Sequence, residues 1–208
     1  LYEDLLSGGE DVELTIDRNI QAHAEEILRS LGERFDAAGG TIIVQEPKTG
    51  KILALANLPD FNPNTYGDYP FKSFLNPAVQ SVYEPGSVFK PFTMAAGIES
   101  GKLTPETTYY DAGKVTLNGK TITNWDKKSY GKITMTNVIE RSVNTGAVYA
   151  ESVVGQADFY NFLKRLGFGS KTGVNLPDEV SGSLKNLERH DARAIDFATA
   201  SFGQGVAV

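Results

Sequence analysis

Serine and lysine recur in the chain at a spacing that suits nucleophilic catalysis. In the segment Ser87-Val88-Phe89-Lys90 the hydroxyl and the amine are three residues apart, so on a helix they share one face. Serine is a weak nucleophile near neutral pH, and a neighbouring base must take its proton. A lysine can act as that base when burial or a nearby cation lowers its pKa. We therefore predict that Ser87 is a nucleophile and Lys90 its general base.

The S-x-x-K pattern is not specific by itself, because about 0.8 matches are expected by chance in a chain of this composition. A second match runs from Ser129 to Lys132, and its internal glycine favours a turn. The residues from Ser87 to Gly101 are good helix formers with an apolar face. Without further context, Lys90 is more simply explained as an exposed lysine on this helix.

A second polar group follows 55 residues after Ser87. Ser142-Val143-Asn144 is the only S-x-N triplet in the chain, and it lies between two predicted helices. One interpretation is a helix–helix turn in which serine and asparagine act as caps. The other is functional: the Ser142 hydroxyl relays protons near Lys90, and the Asn144 amide binds substrate.

The elements around these residues mix strands and helices. Val12 to Ile16 predicts a short strand, and Asp17 is a helix N-cap before apolar residues at helical spacing that end at Gly39-Gly40. Two further strands, 41–45 and 51–56, predict a hairpin. Residues 57–80 predict a long irregular connection, and such connections are often functional.

The second half of the chain predicts mainly helices. Short strands are expected around Asn118-Gly119, a hairpin signal. Helices are predicted over residues 134–141, 145–154, 158–166 and 191–200, and the glycine-rich stretch 167–182 predicts a loop.

Composition excludes several classes of function. The 208 residues are 40% hydrophobic and 22% charged, which is typical of globular domains. A net charge of −6 argues against nucleic acid as a partner. The chain has no cysteine and only two separated histidines, so we expect no disulfide, no metal site and no cofactor. It has no long apolar run or signal peptide and begins at Leu1, so we expect a piece of a longer protein.

The segment from Tyr83 to Thr93 resembles the first motif of class B penicillin-binding proteins. Other stretches resemble the same family in the same order, so the resemblance covers residues 11–208. These stretches are Leu14–Asp17 with Gln21, Pro47–Ala56, Leu166–Gly182 and Phe202–Gly205. This shared order is much more specific than any single motif.

The resemblance implies an α+β fold, an antiparallel sheet flanked by helices, with residues 1–208 as one transpeptidase domain. It implies that Ser87 attacks the penultimate D-Ala of a peptidoglycan stem peptide, that Lys90 takes its proton and that Ser142 relays it. Asn144 is then expected to bind the substrate amide. The resemblance also implies inhibition by β-lactams, no cofactor, and a membrane-anchored cell-wall synthesis complex at the extracytoplasmic face of a bacterial membrane.

The family has a third motif, K-T-G or K-S-G, after its Phe-Gly-Gln-Gly segment. The chain stops at that segment, so we expect a fold incomplete at the C-terminus and a chain that is inactive alone. Losing one oxyanion donor typically costs about 10²–10³ in rate. The triplets at 48–50 and 171–173 are predicted to be a hairpin turn and a loop, without a catalytic role.

Two rival functions stay open. One is hydrolysis by a D,D-carboxypeptidase or a β-lactamase, and the other is a non-catalytic β-lactam-sensing or scaffold domain. Outside the motifs, Trp125 is a candidate wall of the substrate groove, and Glu84 is a candidate for orienting the turn before Ser87. The aromatic residues of the 57–80 connection are expected to pack together rather than to bind substrate.

Overall fold

A computed structural model describes residues 13–208 of the chain. The fold divides into two compact units, the first ending at Ser81 and the second running from Val82 to Val208. Within residues 13–208, no helix has both the length and the apolar character needed to cross a membrane.

The first unit is a helix packed against a β-hairpin. Helix α1 (Arg18–Phe35) is capped by Asp17. The Asp17 Oδ1 accepts hydrogen bonds from the backbone N–H groups of Asn19 at 2.9 Å and Ile20 at 3.0 Å. Strands β1 (Gly40–Gln45) and β2 (Ile52–Leu58) pair antiparallel, as the sequence predicted. The core between helix and hairpin consists of small and branched residues: Ala24, Leu28, Ala54 and Ala56.

The strand predicted for 12–16 is wrong for residues 13–16, and Val12 lies outside the described residues. Thr15 Oγ1 donates to the Ile52 carbonyl at 2.6 Å, and Asp17 N donates to the Leu53 carbonyl at 2.8 Å. These two hydrogen bonds do not extend into a ladder, because Asp17 already caps the helix that follows.

The connection after β2 contains only short helical turns. These are 3₁₀ turns at Pro63–Asp68 and Phe71–Phe74 and the short helix α2 (Pro77–Gln80). Phe61 and Phe74 pack edge to face with ring centres 4.9 Å apart, and Phe71 packs on Phe74 in the same way. The aromatic residues here therefore contact one another, although Phe71 and Tyr66 remain largely exposed.

The second unit is mainly helical. A 3₁₀ turn (Gly86–Phe89) leads directly into α3 (Lys90–Glu99). The later helices are α4 (Met135–Glu140), α5 (Asn144–Val154), α6 (Gln156–Arg165), α7 (Lys185–Glu188) and α8 (Ala194–Ala200). The predicted helices are present with shifted ends, α7 was not predicted, and residues 167–182 form the predicted loop.

Four short strands accompany these helices. Strands β3 (Thr108–Asp111) and β6 (Gly131–Thr134) pair antiparallel, and β4 (Lys114–Leu117) pairs with β5 (Lys120–Thr123). Asn118 and Gly119 join β4 to β5 with φ values of 49° and 76°, the backbone of the predicted tight hairpin turn.

Helix α5 lies at the centre of the second unit. Its Val154 belongs to a core cluster with Phe89 and Phe159, and its Ala150 to another with Met94 and Val143. Ala147, on another side of the helix, packs in a third cluster. Burial on several sides fixes α5 firmly, and with it the residue at its N-terminus, Asn144.

The α+β class is confirmed by the helices and the antiparallel strands. Among residues 13–208 these strands form three two-stranded sheets rather than one continuous sheet. Strands β4 and β5 are neighbours in the chain, whereas β3 pairs with β6 across the β4–β5 hairpin that lies between them.

Candidate active site

The Lys90 amine is the centre of a buried polar cluster. The Lys90 side chain is 1% exposed, and four oxygen atoms lie within 3.0 Å of its Nζ. These are Ser87 Oγ at 3.0 Å, the Ser142 carbonyl oxygen at 2.7 Å, Ser142 Oγ at 2.9 Å and Asn144 Oδ1 at 2.8 Å. The structure thus brings together all four residues that the sequence singled out.

A 3₁₀ turn brings the Ser87 hydroxyl to the Lys90 amine. The sequence predicted that a helix would begin at Ser87, but residues 86–89 form a 3₁₀ turn and the α-helix begins at Lys90. In a 3₁₀ turn residues three apart eclipse each other, which aligns the hydroxyl with the amine more directly than an α-helix does. The Lys90 N–H also donates to the Ser87 carbonyl and closes the turn.

A contact between two glycines fixes the start of this turn. Gly86 has a φ of 64°, and its N–H donates to the Gly203 carbonyl at 2.9 Å. A Cβ built at Gly203 would lie 2.1 Å from the Gly86 carbonyl oxygen, so only glycine fits there. Nearby, the Glu84 carboxylate accepts from Gly205 N at 2.8 Å, which agrees with the suggestion that Glu84 orients this turn.

Ser142 reaches Lys90 through an unusual backbone conformation. Its φ is 53°, in the left-handed region, and its N–H donates to the Ile139 carbonyl at 3.2 Å. The next residue, Val143, is fully buried and donates its N–H to the Val138 carbonyl at 2.9 Å. This tight turn points both the hydroxyl and the carbonyl of Ser142 at the Lys90 amine.

Asn144 is held at both ends of its amide. Its Oδ1 accepts from Lys90, and its Nδ2 donates to the Thr123 carbonyl at 3.0 Å. The contact with Thr123 fixes which end of the amide faces the lysine. One Nδ2 proton is left over, so the predicted substrate contact can be made only through that proton or after rearrangement.

Burial makes a neutral amine accessible at Lys90. Burial lowers the pKa of Lys90 from 10.5 to about 8. The four oxygens around Nζ accept hydrogen bonds that also stabilise the ammonium form, so burial alone accounts for the lowered pKa of Lys90. The Ser142 carbonyl and Asn144 Oδ1 can only accept, so they orient two protons of a neutral amine. Its lone pair can then accept the hydroxyl proton of Ser87 or Ser142.

A buried carboxylate that sequence reasoning missed supports this arrangement. Asp111 is fully buried and accepts from Thr145 Oγ1 at 2.7 Å and from Asn124 Nδ2 at 2.9 Å. Backbone N–H groups of Gly113 and Tyr130 donate to it as well. A signal was present, since Asp111 and buried Tyr109 share one face of β3. An inward-facing carboxylate on a short strand indicates a structural hydrogen-bond network.

Trp125 lies beside the Ser142 turn. Its indole is 72% exposed, and its Nε1 donates to the Arg141 carbonyl at 3.3 Å. The preceding residue, Asn124, accepts from the Thr145 backbone through its Oδ1 at 3.2 Å. The role of Trp125 as a wall of the substrate groove stays a prediction.

The other sequence matches do not form catalytic groups. The second S-x-x-K ends in β6, where Gly131 has a φ of 66°, so its residues lie in no helix. Lys48-Thr49-Gly50 forms the β1–β2 turn, closed by Gly50 N to the Glu46 carbonyl. In the triplet from Lys171 to Gly173, two backbone N–H groups and the Thr172 hydroxyl donate to Glu179. Residues 13–208 contain no cluster of histidine and acidic residues that could hold a metal ion.

Comparison with known proteins places this geometry in a wider context. Residues 40–208 match the family model described as the penicillin-binding protein transpeptidase domain. Stage V sporulation protein D of Bacillus subtilis is 35% identical over 202 residues, covering 96% of this chain and 31% of the relative. A peptidoglycan D,D-transpeptidase FtsI homolog of Chlorokybus atmophyticus is 33% identical, covering 95% of this chain and 31% of the relative. The chain therefore spans about a third of the length of these relatives.

Solved structures show the same fold. A peptidoglycan glycosyltransferase from Burkholderia ambifaria superposes with a TM-score of 0.82 at 30% identity, covering 94% of this chain and 57% of that one. The transpeptidase domain of Burkholderia pseudomallei penicillin-binding protein 3 gives 0.81 at 30% identity, covering 94% and 54%.

Proposed function

The chain belongs to the family of penicillin-binding protein transpeptidase domains, and from that premise we propose that it cross-links peptidoglycan stem peptides through an acyl-enzyme on Ser87. The observation that carries this proposal is the Lys90 amine, which is buried and within 3.0 Å of both serine hydroxyls. A depressed lysine pKa and an adjacent hydroxyl are what an activated serine requires.

In the first half of the reaction Ser87 Oγ attacks the carbonyl carbon of the penultimate D-Ala. Lys90 Nζ takes the hydroxyl proton as the new C–O bond forms. The backbone N–H of Ser87 is the proposed donor to the developing oxyanion. When the peptide C–N bond breaks, Ser142 Oγ passes a proton from Lys90 to the departing D-Ala amine, which leaves the stem peptide esterified to Ser87.

In the second half the amine of a neighbouring stem peptide attacks the ester carbonyl. The amine loses a proton through Ser142 to Lys90, and Ser87 Oγ departs and regains its proton. Lys90 and Ser142 thus run the same proton path in both directions, as microscopic reversibility requires. Asn144 contributes by fixing the amine of Lys90 and by offering its remaining Nδ2 proton to the substrate amide.

β-Lactams are the proposed inhibitors, because they present a strained amide to the same nucleophile and acylate it. The relatives named above are sporulation and transpeptidase proteins. We propose further that the protein acts at the extracytoplasmic face of the cytoplasmic membrane, in an anchored cell-wall synthesis complex. Loss of the protein from spheroplasts treated with protease, without lysis, tests this location, and full protection of the protein contradicts it.

A product analysis tests the function. The intact protein is incubated with a pentapeptide ending in D-Ala-D-Ala and with an acceptor amine, and the products are separated by mass spectrometry. The account predicts a cross-linked product with release of one D-Ala, and no product from Ser87→Ala. Release of D-Ala with only hydrolysed tetrapeptide, at any acceptor concentration, would identify a carboxypeptidase instead.

A further inference from the structure

A cavity lies in the same unit as Lys90, and the proposed reaction does not use it. Its volume is about 470 Å³, within the range of roughly 300–1,000 Å³ that small-molecule sites span. Strands β3 and β4, helix α5 and the start of α6 supply its walls. Most of the lining is apolar, including Val115, Leu117 and Val148.

One carboxyl oxygen in this wall has no hydrogen-bond partner among residues 13–208. Glu151, on α5, is 4% exposed, and within residues 13–208 its Oε1 accepts no hydrogen bond. Burial raises the pKa of Glu151 from 4.5 to about 7. Buried carboxylates are almost always paired, so a carboxyl oxygen that lines a cavity without a partner among residues 13–208 is a candidate to bind a ligand.

The remaining wall groups define what that partner can be. Tyr149 stacks on Tyr109 with ring centres 5.1 Å apart, which gives the cavity an aromatic side. The titratable groups that face Glu151 are Tyr109 and Tyr110 from β3, Lys114 from β4, and Tyr149. Lys114 is exposed and forms no ion pair with Glu151 or with any other residue from 13 to 208.

We propose that this cavity binds a small organic amine, whose ammonium group pairs with the Glu151 carboxylate while its apolar body packs against Tyr149, Val148 and Leu117. An ammonium group supplies the charge and the hydrogen-bond donors that Oε1 lacks. Aromatic and aliphatic walls suit an apolar body and add attraction for a cation near a ring face.

The cavity is connected to the catalytic cluster through α5. Glu151 lies two helical turns after Asn144, so the two residues share one face of the helix. Thr145 also lines the cavity, and its hydroxyl donates to Asp111. A bound amine would therefore lie against α5 beside Thr145 and Glu151, and would not contact Ser87, which does not line the cavity.

Calorimetric titration with 2-phenylethylamine at pH 8 tests the proposal, with 2-phenylethanol as the uncharged counterpart. The amine is expected to bind at least tenfold more tightly than the alcohol. Glu151→Gln keeps the shape of the side chain and should weaken amine binding at least tenfold. Ser152→Ala, a change at the next residue of the same wall, should leave it within twofold.

The pH dependence provides an independent readout. Because a proton competes with the ammonium group for Glu151, the Kd should rise about tenfold for each pH unit below 7. In Glu151→Gln it should not change over that range. Retention of Ser87 labelling by penicillin in Glu151→Gln shows that the variant is folded.

Three results would overturn the proposal. One is equal binding of amine and alcohol, and another is unchanged amine affinity in Glu151→Gln. The third is no binding by 2-phenylethylamine or by a panel of other primary arylalkylamines, which would mean that the cavity holds only water. None of these results bears on acylation of Ser87, so they leave the proposed transpeptidase function unaffected.

Discussion

Ser142 presents two oxygen atoms to Lys90, its carbonyl at 2.7 Å and its hydroxyl at 2.9 Å from Nζ. Through this double contact, two groups of one residue perform different tasks. The carbonyl can only accept, so it orients a proton of the lysine amine, whereas the hydroxyl can also donate and so can pass a proton onward. The left-handed backbone of Ser142, with φ of 53°, is what directs both groups to the same atom.

Ser142→Ala should therefore separate positioning from proton transfer. The variant loses the hydroxyl and keeps the carbonyl, so Lys90 stays oriented while the relay is lost. We expect acylation by penicillin to slow by about 10²–10⁴, the usual contribution of a general acid–base group. Stopped-flow acylation measures this rate. Ser152→Ala is the matched control, because the Ser152 hydroxyl donates to the Tyr149 carbonyl and to no other group of residues 13–208. Acylation within threefold of the wild-type rate would exclude the relay.

The pH profile of acylation should report the Lys90 amine. With a pKa of about 8, the fraction of neutral amine rises with pH and approaches its maximum above that value. The acylation rate should rise about tenfold per pH unit from pH 6 towards pH 8 and then level off. Second-order rate constants for penicillin from pH 6 to pH 9.5 test this. A rate that is flat across the whole range would show that Lys90 does not titrate as the base.

Thr145→Val should show how much the buried network contributes to stability. The change preserves shape but removes the hydroxyl that donates to Asp111 at 2.7 Å, leaving a buried carboxylate with one donor fewer. We expect the free energy of unfolding to fall by about 1–3 kcal/mol. Urea denaturation measures it, and Thr145→Ser, which keeps the hydroxyl, should lose less. An unchanged free energy of unfolding in Thr145→Val would contradict a stabilising role for the hydroxyl.

Gly203→Ala should disturb the turn that carries Ser87. The added Cβ would lie 2.1 Å from the Gly86 carbonyl oxygen, so the turn must shift. We expect a loss of more than about 2 kcal/mol of stability together with slower acylation.

Gly119→Ala is the control for Gly203→Ala. Gly119 has a φ of 76°, close to the 78° of Gly203, but nothing lies within 4 Å of an added Cβ. Gly119→Ala should lower the free energy of unfolding by about 1–2 kcal/mol, the cost of a left-handed backbone at alanine, and should not affect acylation. Similar effects on acylation from both changes would contradict a specific role for the Gly86–Gly203 contact.

Local signals in the sequence were sufficient for several elements. The Asp17 cap and the apolar spacing after it predicted α1, and Asn118-Gly119 predicted the β4–β5 hairpin. These features depend on residues close together in the chain, where capping and turn chemistry act directly. The pairing of Ser87 with Lys90 was predicted for the same reason, because the two residues are three positions apart in the chain.

Long-range contacts were not predictable in this way. Thr145 and Asp111 are 34 residues apart, and no local pattern indicates that their side chains meet. Glu151 lies within a helix that the sequence predicted. Its Oε1 has no hydrogen-bond partner among residues 13–208, and this follows from the packing of other elements around it. The 3₁₀ turn before Lys90 was also missed, since helix-forming residues favour either kind of turn and the contact with Gly203 helps to fix it.

Mapping the β-lactam adduct is the most direct test of Ser87 as the nucleophile. The intact protein is reacted with benzylpenicillin, digested and analysed by mass spectrometry. The account predicts one penicilloyl group, on the peptide that contains Ser87, and none in Ser87→Ala or Lys90→Met. A stable adduct at any other residue, or labelling that persists in Ser87→Ala, would contradict the assignment of Ser87 as the nucleophile.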